Sequence, residues 1–204
     1  MLYYRNNPKQ WSKSGGHGLV SEADLAIDEM LLAQFSKARP DYAILSEETE
    51  DDPKRLQSDA VFIIDPIDGT RSFLNGNENF STSIAIARGG VVTEAVVHLP
   101  AKGLTFSARQ GAGAFLNGKP IHVGDRAELR GARILASGSQ TRADLWRNGS
   151  PPIERHFRSS LAYRLCLVAQ GQNGSHPTYN SASARMNGMI AANDTLMDAF
   201  FTYL

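Results

Sequence analysis

The apolar run Ala60-Val61-Phe62-Ile63-Ile64 stops on Asp65-Pro66-Ile67-Asp68-Gly69-Thr70. A short apolar run bounded by turn residues reads as a buried strand. Here the strand ends in acids with a glycine turn behind it, which puts hard oxygen ligands at a strand tip. Backbone N–H groups of the turn face the same point. Carboxylate oxygens suit Mg²⁺, and exposed N–H groups suit a phosphate. The alternative is a strand followed by an ordinary Asp-Gly turn. That explains Gly69 but leaves Asp65, Asp68 and Thr70 without a reason to stand so close together.

A second acidic cluster lies upstream. Tyr42-Ala43-Ile44-Leu45-Ser46 reads as a short strand ended by Glu47-Glu48-Thr49. Functional groups collect at strand ends, where the scaffold is rigid and the loop free. If the two strands lie side by side, Glu47 and Asp65 can share one cation. Taken alone, Glu47 and Glu48 read equally as the start of a solvated charge run, because Glu50, Asp51 and Asp52 continue it.

Together, Ser46-Glu47-Glu48-Thr49 and Asp65 to Thr70 resemble the inositol monophosphatase family of Mg²⁺-dependent, lithium-sensitive phosphatases. Other segments match in order. Val20-Ser21-Glu22-Ala23-Asp24 resembles the family's Val-Thr-x-Ala-Asp segment, and Lys13 the lysine before it. Gly111 to Gly118 resembles the hairpin after the active-site strands. Leu161 to Gly171 is similar to the helix ending in Val-Ala-x-Gly, and Asn187 to Asn193 to the last strand and the start of the last helix. There are two departures. The family's Trp-Asp-x-Ala-Ala-Gly motif, whose Asp is a metal ligand, is not found, because Gln170-Gly171-Gln172 runs straight into Asn173-Gly174-Ser175. Neither Trp11 nor Trp146 is followed by Asp. The resemblance therefore implies that a segment is missing at the 172–173 join, along with most of the first helix. Intact mass tests this expectation.

The resemblance implies metal ligation by Glu47, Asp65, Asp68 and the Ile67 carbonyl. It implies phosphate contact by the Gly69 and Thr70 amides, and a catalytic set of Thr70, Asp24 and Glu47. The cofactor it implies is Mg²⁺, as roughly two or three ions. A threonine hydroxyl is nearly neutral at pH 7. Thr70 would orient the attacking water only if a carboxylate takes its proton, and the family pattern pairs it with Asp24. The plainer role for Asp24 is helix capping. Glu48 is expected behind the ligands. Arg71 reads equally as an anion contact and as a solvated arginine. Ser159 and Ser160 align with the segment that approaches the inositol ring, but a helix N-cap is the plainer role. No two histidines stand at metal-ligand spacing.

The implied substrate is a small phosphate monoester, inositol monophosphate first. A 3′(2′),5′-bisphosphate nucleotidase acting on 3′-phosphoadenosine 5′-phosphate is the alternative, supported by Gly69-Thr70-Arg71-Ser72-Phe73-Leu74 and the Tyr3-Tyr4-Arg5-Asn6-Asn7-Pro8 start. Fructose-1,6-bisphosphatase activity is a minor further option. From another class comes an inactive paralogue serving as a binding or dimerising subunit. The family's habit implies a homodimer.

The chain of 204 residues is 42% hydrophobic and has a formal net charge of zero. A soluble globular protein fits, and bulk attraction to nucleic acid does not. No apolar run approaches the ~20 residues of a membrane span. The N-terminus lacks a signal-peptide core. The single Cys166 allows no internal disulfide, which fits a reducing cytoplasm. Within Leu165-Cys166-Leu167-Val168 it reads as a buried, inert thiol.

Ser21 with Asp24 three positions on predicts a capping box for a helix running to about Ala38, with Ile27, Met30, Leu31 and Phe35 inward. The alternating Phe80 to Ala87 segment, then Gly89-Gly90, then Val91 to His98 predict a β-hairpin. Further strands are expected at 103–109, 113–116 and 132–137. Helices are expected at 160–170, with Leu161, Leu165 and Val168 on one face, and at 194–203. This order predicts an α+β fold. The resemblance implies the layered αβαβα sandwich. It also implies a single phosphatase unit (1–204), with a metal- and phosphate-binding part at 1–130 and a C-terminal α/β part at 131–204.

Overall fold

The computed structural model of the chain describes residues 2–13, 18–146 and 148–171. The 172–173 join, the 187–193 segment and the helix expected at 194–203 lie outside the described residues. Two compact units are formed. Of the described residues, 2–13, 18–119 and 159–163 make the first, and 120–146, 148–158 and 164–171 the second.

The first unit opens with a small antiparallel pair, β1 (Gln10–Ser12) and β2 (Leu19–Ser21), leading into helix α1 (Glu22–Ala38). The capping box forms. The Ser21 hydroxyl accepts from the Ala23 and Asp24 amides, and the Asp24 carboxylate takes the Ser21 N–H at 2.8 Å. The helix stops at Ala38, where the Arg39 N–H bonds the Phe35 carbonyl.

Beside this helix lies a mixed sheet in which strands β3 (Ala43–Ser46), β4 (Ala60–Asp68), β5 (Ser81–Arg88), β6 (Val91–Leu99), β7 (Leu104–Arg109) and β8 (Gly113–Leu116) follow one another in sequence order. β3 and β4 are parallel, while β4 to β8 run antiparallel. The β5–β6 turn is Gly89-Gly90 with φ of 54° and 80°. A two-residue turn with φ positive at both centres matches the twist of a hairpin, and glycine adopts it most readily. A short helix α2 (Thr70–Leu74) follows β4.

Phe35 from α1 stacks on Phe62 of β4 at 4.4 Å between ring centroids. A second cluster gathers Ala23, Ile67, Phe73 and Phe80, with Tyr4 laid over both phenylalanines at 5.7 and 5.1 Å. The α1 face departs from expectation. Met30 is 54% exposed, while Asp24 and Asp28 are buried. Met30 stands about 200° around the helix from Asp28, on the solvent side, while Asp24 and Asp28 share the inward stripe of Ile27, Leu31 and Phe35 and find hydroxyl partners there.

The second unit holds a parallel pair, β10 (Ala132–Leu135) and β11 (Ile153–His156), with Leu129, Ala132, Ala136 and Trp146 buried. A three-residue strand, β9 (Lys119–Ile121), precedes it in the chain at the unit boundary. Helix α3 (Leu161–Ala169), whose residues 161–163 belong to the first unit, buries Tyr163, Leu167 and Val168, whereas Leu161 is 40% exposed. The inward stripe thus starts from Tyr163 and Leu167, four apart, and not from Leu161. Cys166 sits beside that stripe and is half-buried, not buried as its apolar neighbours suggested.

Candidate active site

β3 and β4 pair with Ser46 opposite Ile64, and the Glu47 N–H continues the ladder to the Ile64 carbonyl at 3.1 Å. Parallel pairing in this register brings Glu47 beside Asp65, as the side-by-side arrangement requires.

The second carboxylate of the β4 tip arrives by a bulge. Successive side chains of a strand point to opposite faces, so residues three apart face opposite ways. Against β5, Asp65 pairs with Ser83 but Asp68 with Ser81, so three steps on β4 span two on β5. The extra residue returns Asp68 to the face of Asp65. Thr82 Oγ1 steadies the irregular turn by donating to the Pro66 carbonyl at 2.8 Å.

Asp68 is held by the first turn of α3. Its Oδ2 accepts from Ser160 Oγ at 2.5 Å and from the Ala162 N–H at 2.6 Å. Ser160 Oγ in turn accepts from the Tyr163 N–H at 2.9 Å, so it caps the helix as expected and also fixes the aspartate. Sequence reasoning found the cap but not its link to Asp68, because nothing local marks a partner 92 positions away.

Gly69 turns the chain from β4 into α2 at a φ of 95°. A Cβ there would lie 3.1 Å from the Asn79 carbonyl oxygen and 3.4 Å from the Ser160 nitrogen. Gly69→Ala is expected to cost about 1–2 kcal/mol from the left-handed backbone alone, and roughly 5 °C of Tm with the added crowding. A thermal melt equal to wild type would show that this turn is not under constraint.

Thr70 Oγ1 lies 3.1 Å from both Asp24 Oδ1 and the Ile67 carbonyl oxygen. The other oxygen of Asp24 takes the Ser21 N–H at 2.8 Å and the Ser21 hydroxyl at 2.6 Å. Asp24 therefore both caps α1 and accepts from Thr70. Burial pushes its carboxyl above the ordinary 3.8, with the hydrogen bonds from Ser21 and Thr70 pulling the other way.

Lys13 Nζ bridges Glu47 and Glu48, at 2.9 Å to each. The Glu48 side chain is only 4% exposed, whereas that of Glu47 is 51% exposed. Burial alone would push Lys13 down, but hydrogen bonds and charge from both glutamates outweigh it and raise its pKa. Burial raises Glu48, with Lys13 opposing.

Among the described residues Asp65 stands out. Burial first, then the charges of Glu47 and Asp68, push it up to about 8. Its Oδ1 is buried and has no hydrogen-bond partner. A buried carboxylate oxygen left bare beside two other carboxylates is costly. A proton or a cation would relieve it, and its carboxylate oxygens are donors that suit a hard divalent cation. Among the described residues no three His, Cys, Asp or Glu side chains stand so that they could hold a metal ion as placed, so the expected set of Glu47, Asp65 and Asp68 is not gathered. Glu47 is drawn toward Lys13 and Asp68 toward Ser160.

The sequence model of the inositol monophosphatase family matches residues 2–180. An inositol-1-monophosphatase of Rhizobium meliloti is 39% identical over 130 residues, covering 64% of this chain and 48% of its own length. A fructose-1,6-bisphosphatase/inositol-1-monophosphatase of Thermotoga maritima is 40% identical over 129 residues, covering 63% and 49%. The solved structure of a Thermotoga maritima IMPase superposes with a TM-score of 0.74 at 29% identity, covering 85% of this chain and 68% of that one. The chain spans about half the length of the curated relatives it matches.

Proposed function

The chain belongs to the inositol monophosphatase family, and on that premise we propose that it hydrolyses a small phosphate monoester with the help of Mg²⁺ held at the tips of β3 and β4. The bare, buried Asp65 Oδ1 beside Glu47 and Asp68 carries this reading. Glu47, Asp65, Asp68 and the Ile67 carbonyl would hold the ion. When bound, Mg²⁺ neutralises phosphate charge and lowers the pKa of water. Solved relatives of the same fold hold Mg²⁺ and phosphate, or Ca²⁺ with NADP.

The chain's own groups divide the remaining work. The Gly69 and Thr70 amides receive phosphate oxygens at the turn. Thr70 donates to Asp24, which leaves its oxygen lone pairs free to accept a hydrogen bond from the attacking water and so fix its orientation. Asp24, buried and tied to Ser21, keeps Thr70 in that rotamer. The substrate we favour is inositol monophosphate, in line with the names of the relatives above. We assign the protein to the cytoplasm as a homodimer, on the single cysteine and the family's habit.

Lys13 tests the cation site from outside the ligand set. An ammonium on Glu47 competes with a metal for the same carboxylate. Lys13→Met is expected to tighten Mg²⁺ roughly fivefold, the scale of one partly screened charge nearby. An unchanged or weaker affinity by calorimetry would remove Lys13 from the site.

The function itself is tested by phosphate release from inositol 1-phosphate and from 3′-phosphoadenosine 5′-phosphate, with and without Mg²⁺. Mg²⁺-dependent release favouring the inositol ester is expected. Preference for the nucleotide would reassign the substrate. No release from either would favour a binding subunit.

A further inference from the structure

Asp28 lies one helical turn after Asp24 on α1, is 4% exposed, and is not among the residues assigned a role above. It accepts from Ser46 Oγ at 2.5 Å and from Thr49 Oγ1 at 2.6 Å. These two hydroxyls flank Glu47 and Glu48 on either side. On the sheet side the same loop is pinned by the Glu47 N–H on the Ile64 carbonyl. One face of α1 thus grips both candidate loops: Asp24 holds Thr70 after β4, and Asp28 holds both ends of the acidic turn after β3.

We propose that Asp28 is a positioning residue for the cation site, holding the Ser46–Thr49 turn so that the Glu47 carboxylate is presented beside Asp65. The proposal rests on the metal-dependent reading above. A buried carboxylate accepting from two hydroxyls makes short, strong hydrogen bonds. Groups that support a metal ligand from behind change metal affinity by about 10–100-fold when removed. A staple that merely joined helix to strand would lower stability and leave cation affinity alone.

The test is calorimetric titration of the full chain with Mg²⁺ alone, beside thermal melts. Asp28→Ala is expected to bind Mg²⁺ about tenfold more weakly. Asp28→Asn keeps an oxygen for Ser46 and offers an N–H to Thr49, so it is expected within about threefold of wild type. Thr49→Val removes one of the two bonds and is expected to lose about threefold, which keeps the test open should Asp28→Ala not fold. In a Glu47→Gln background, Asp28→Ala should have no further effect, because it acts through Glu47. Wild-type affinity in Asp28→Ala or Thr49→Val would overturn the proposal. So would Asp28→Asn binding as weakly as Asp28→Ala, since charge rather than position would then be at work. A full additional loss in the Glu47→Gln background would overturn it as well. If Glu47→Gln itself binds like wild type, the cation-site reading falls and the role of Asp28 with it.

Discussion

Asp65→Asn is expected to make the metal-free protein more stable at neutral and alkaline pH while abolishing its response to Mg²⁺. The sign follows from linkage. The folded-state pKa of Asp65 is raised from 3.8 to about 8 by burial and by Glu47 and Asp68. A carboxyl with a raised folded pKa contributes its stability fully below the unfolded value and loses it as pH climbs through the folded one. Metal-free wild type should therefore weaken steadily between about pH 4 and pH 8. Asparagine has no proton to lose and should be flat through this window. At pH 8 the variant is expected to melt roughly 5 °C higher. Added Mg²⁺ should reverse the order, raising wild type and leaving Asp65→Asn where it was. Parallel melting curves from pH 4 to pH 8 would remove Asp65 as the strained centre of the site.

Thr70→Ala is expected to lower turnover by about 10²–10³-fold, the scale of losing one positioned proton-handling group, with Mg²⁺ affinity within about twofold. Thr70 donates to Asp24 and its oxygen touches no carboxylate of the proposed ligand set. Thr70→Ser keeps the hydroxyl on the same stem and should recover most of the rate. Full activity in the alanine variant would end the water-orienting role. A matching loss of Mg²⁺ affinity would mean that Thr70 supports the Ile67 carbonyl instead.

The contrast between these two variants reflects how the site is built. Asp65 sits beside two other carboxylates with one oxygen bare, whereas Asp24, though buried and raised, has hydrogen bonds from Thr70 and Ser21 and a second use in capping α1. Functional sites often hold such local conflicts, which the surrounding structure keeps in place.

Much of this was legible in local sequence. Ser21 with Asp24 marked the start of α1, and Gly89-Gly90 marked the hairpin with its residues nearly in place. Asp65 to Thr70 marked the candidate site because its residue types are those that suit a metal and a phosphate. Three features were not legible, each for a physical reason. The bulge that puts Asp65 and Asp68 on one face depends on pairing with Ser81 and Ser83, and Pro66, which cannot donate to a ladder, is its one local sign in β4. The burial of Asp24 and Asp28 keeps to the helical period of Leu31 and Phe35 but sets acids in an apolar stripe, because their partners, Thr70, Ser46 and Thr49, lie elsewhere in the chain. The anchoring of Asp68 by Ser160 and Ala162 requires the chain to return after a long excursion.

The most direct measurement is titration of Mg²⁺ into the protein at pH 7 in two buffers of different ionisation enthalpy. With its pKa near 8, Asp65 carries a proton at pH 7 and must lose it to become a ligand. Binding is therefore predicted to release about one proton in wild type. Asp65→Asn is predicted to show neither the binding nor the release. Binding without proton release, and equally strong in Asp65→Asn, would contradict a cation site built on the tips of β3 and β4.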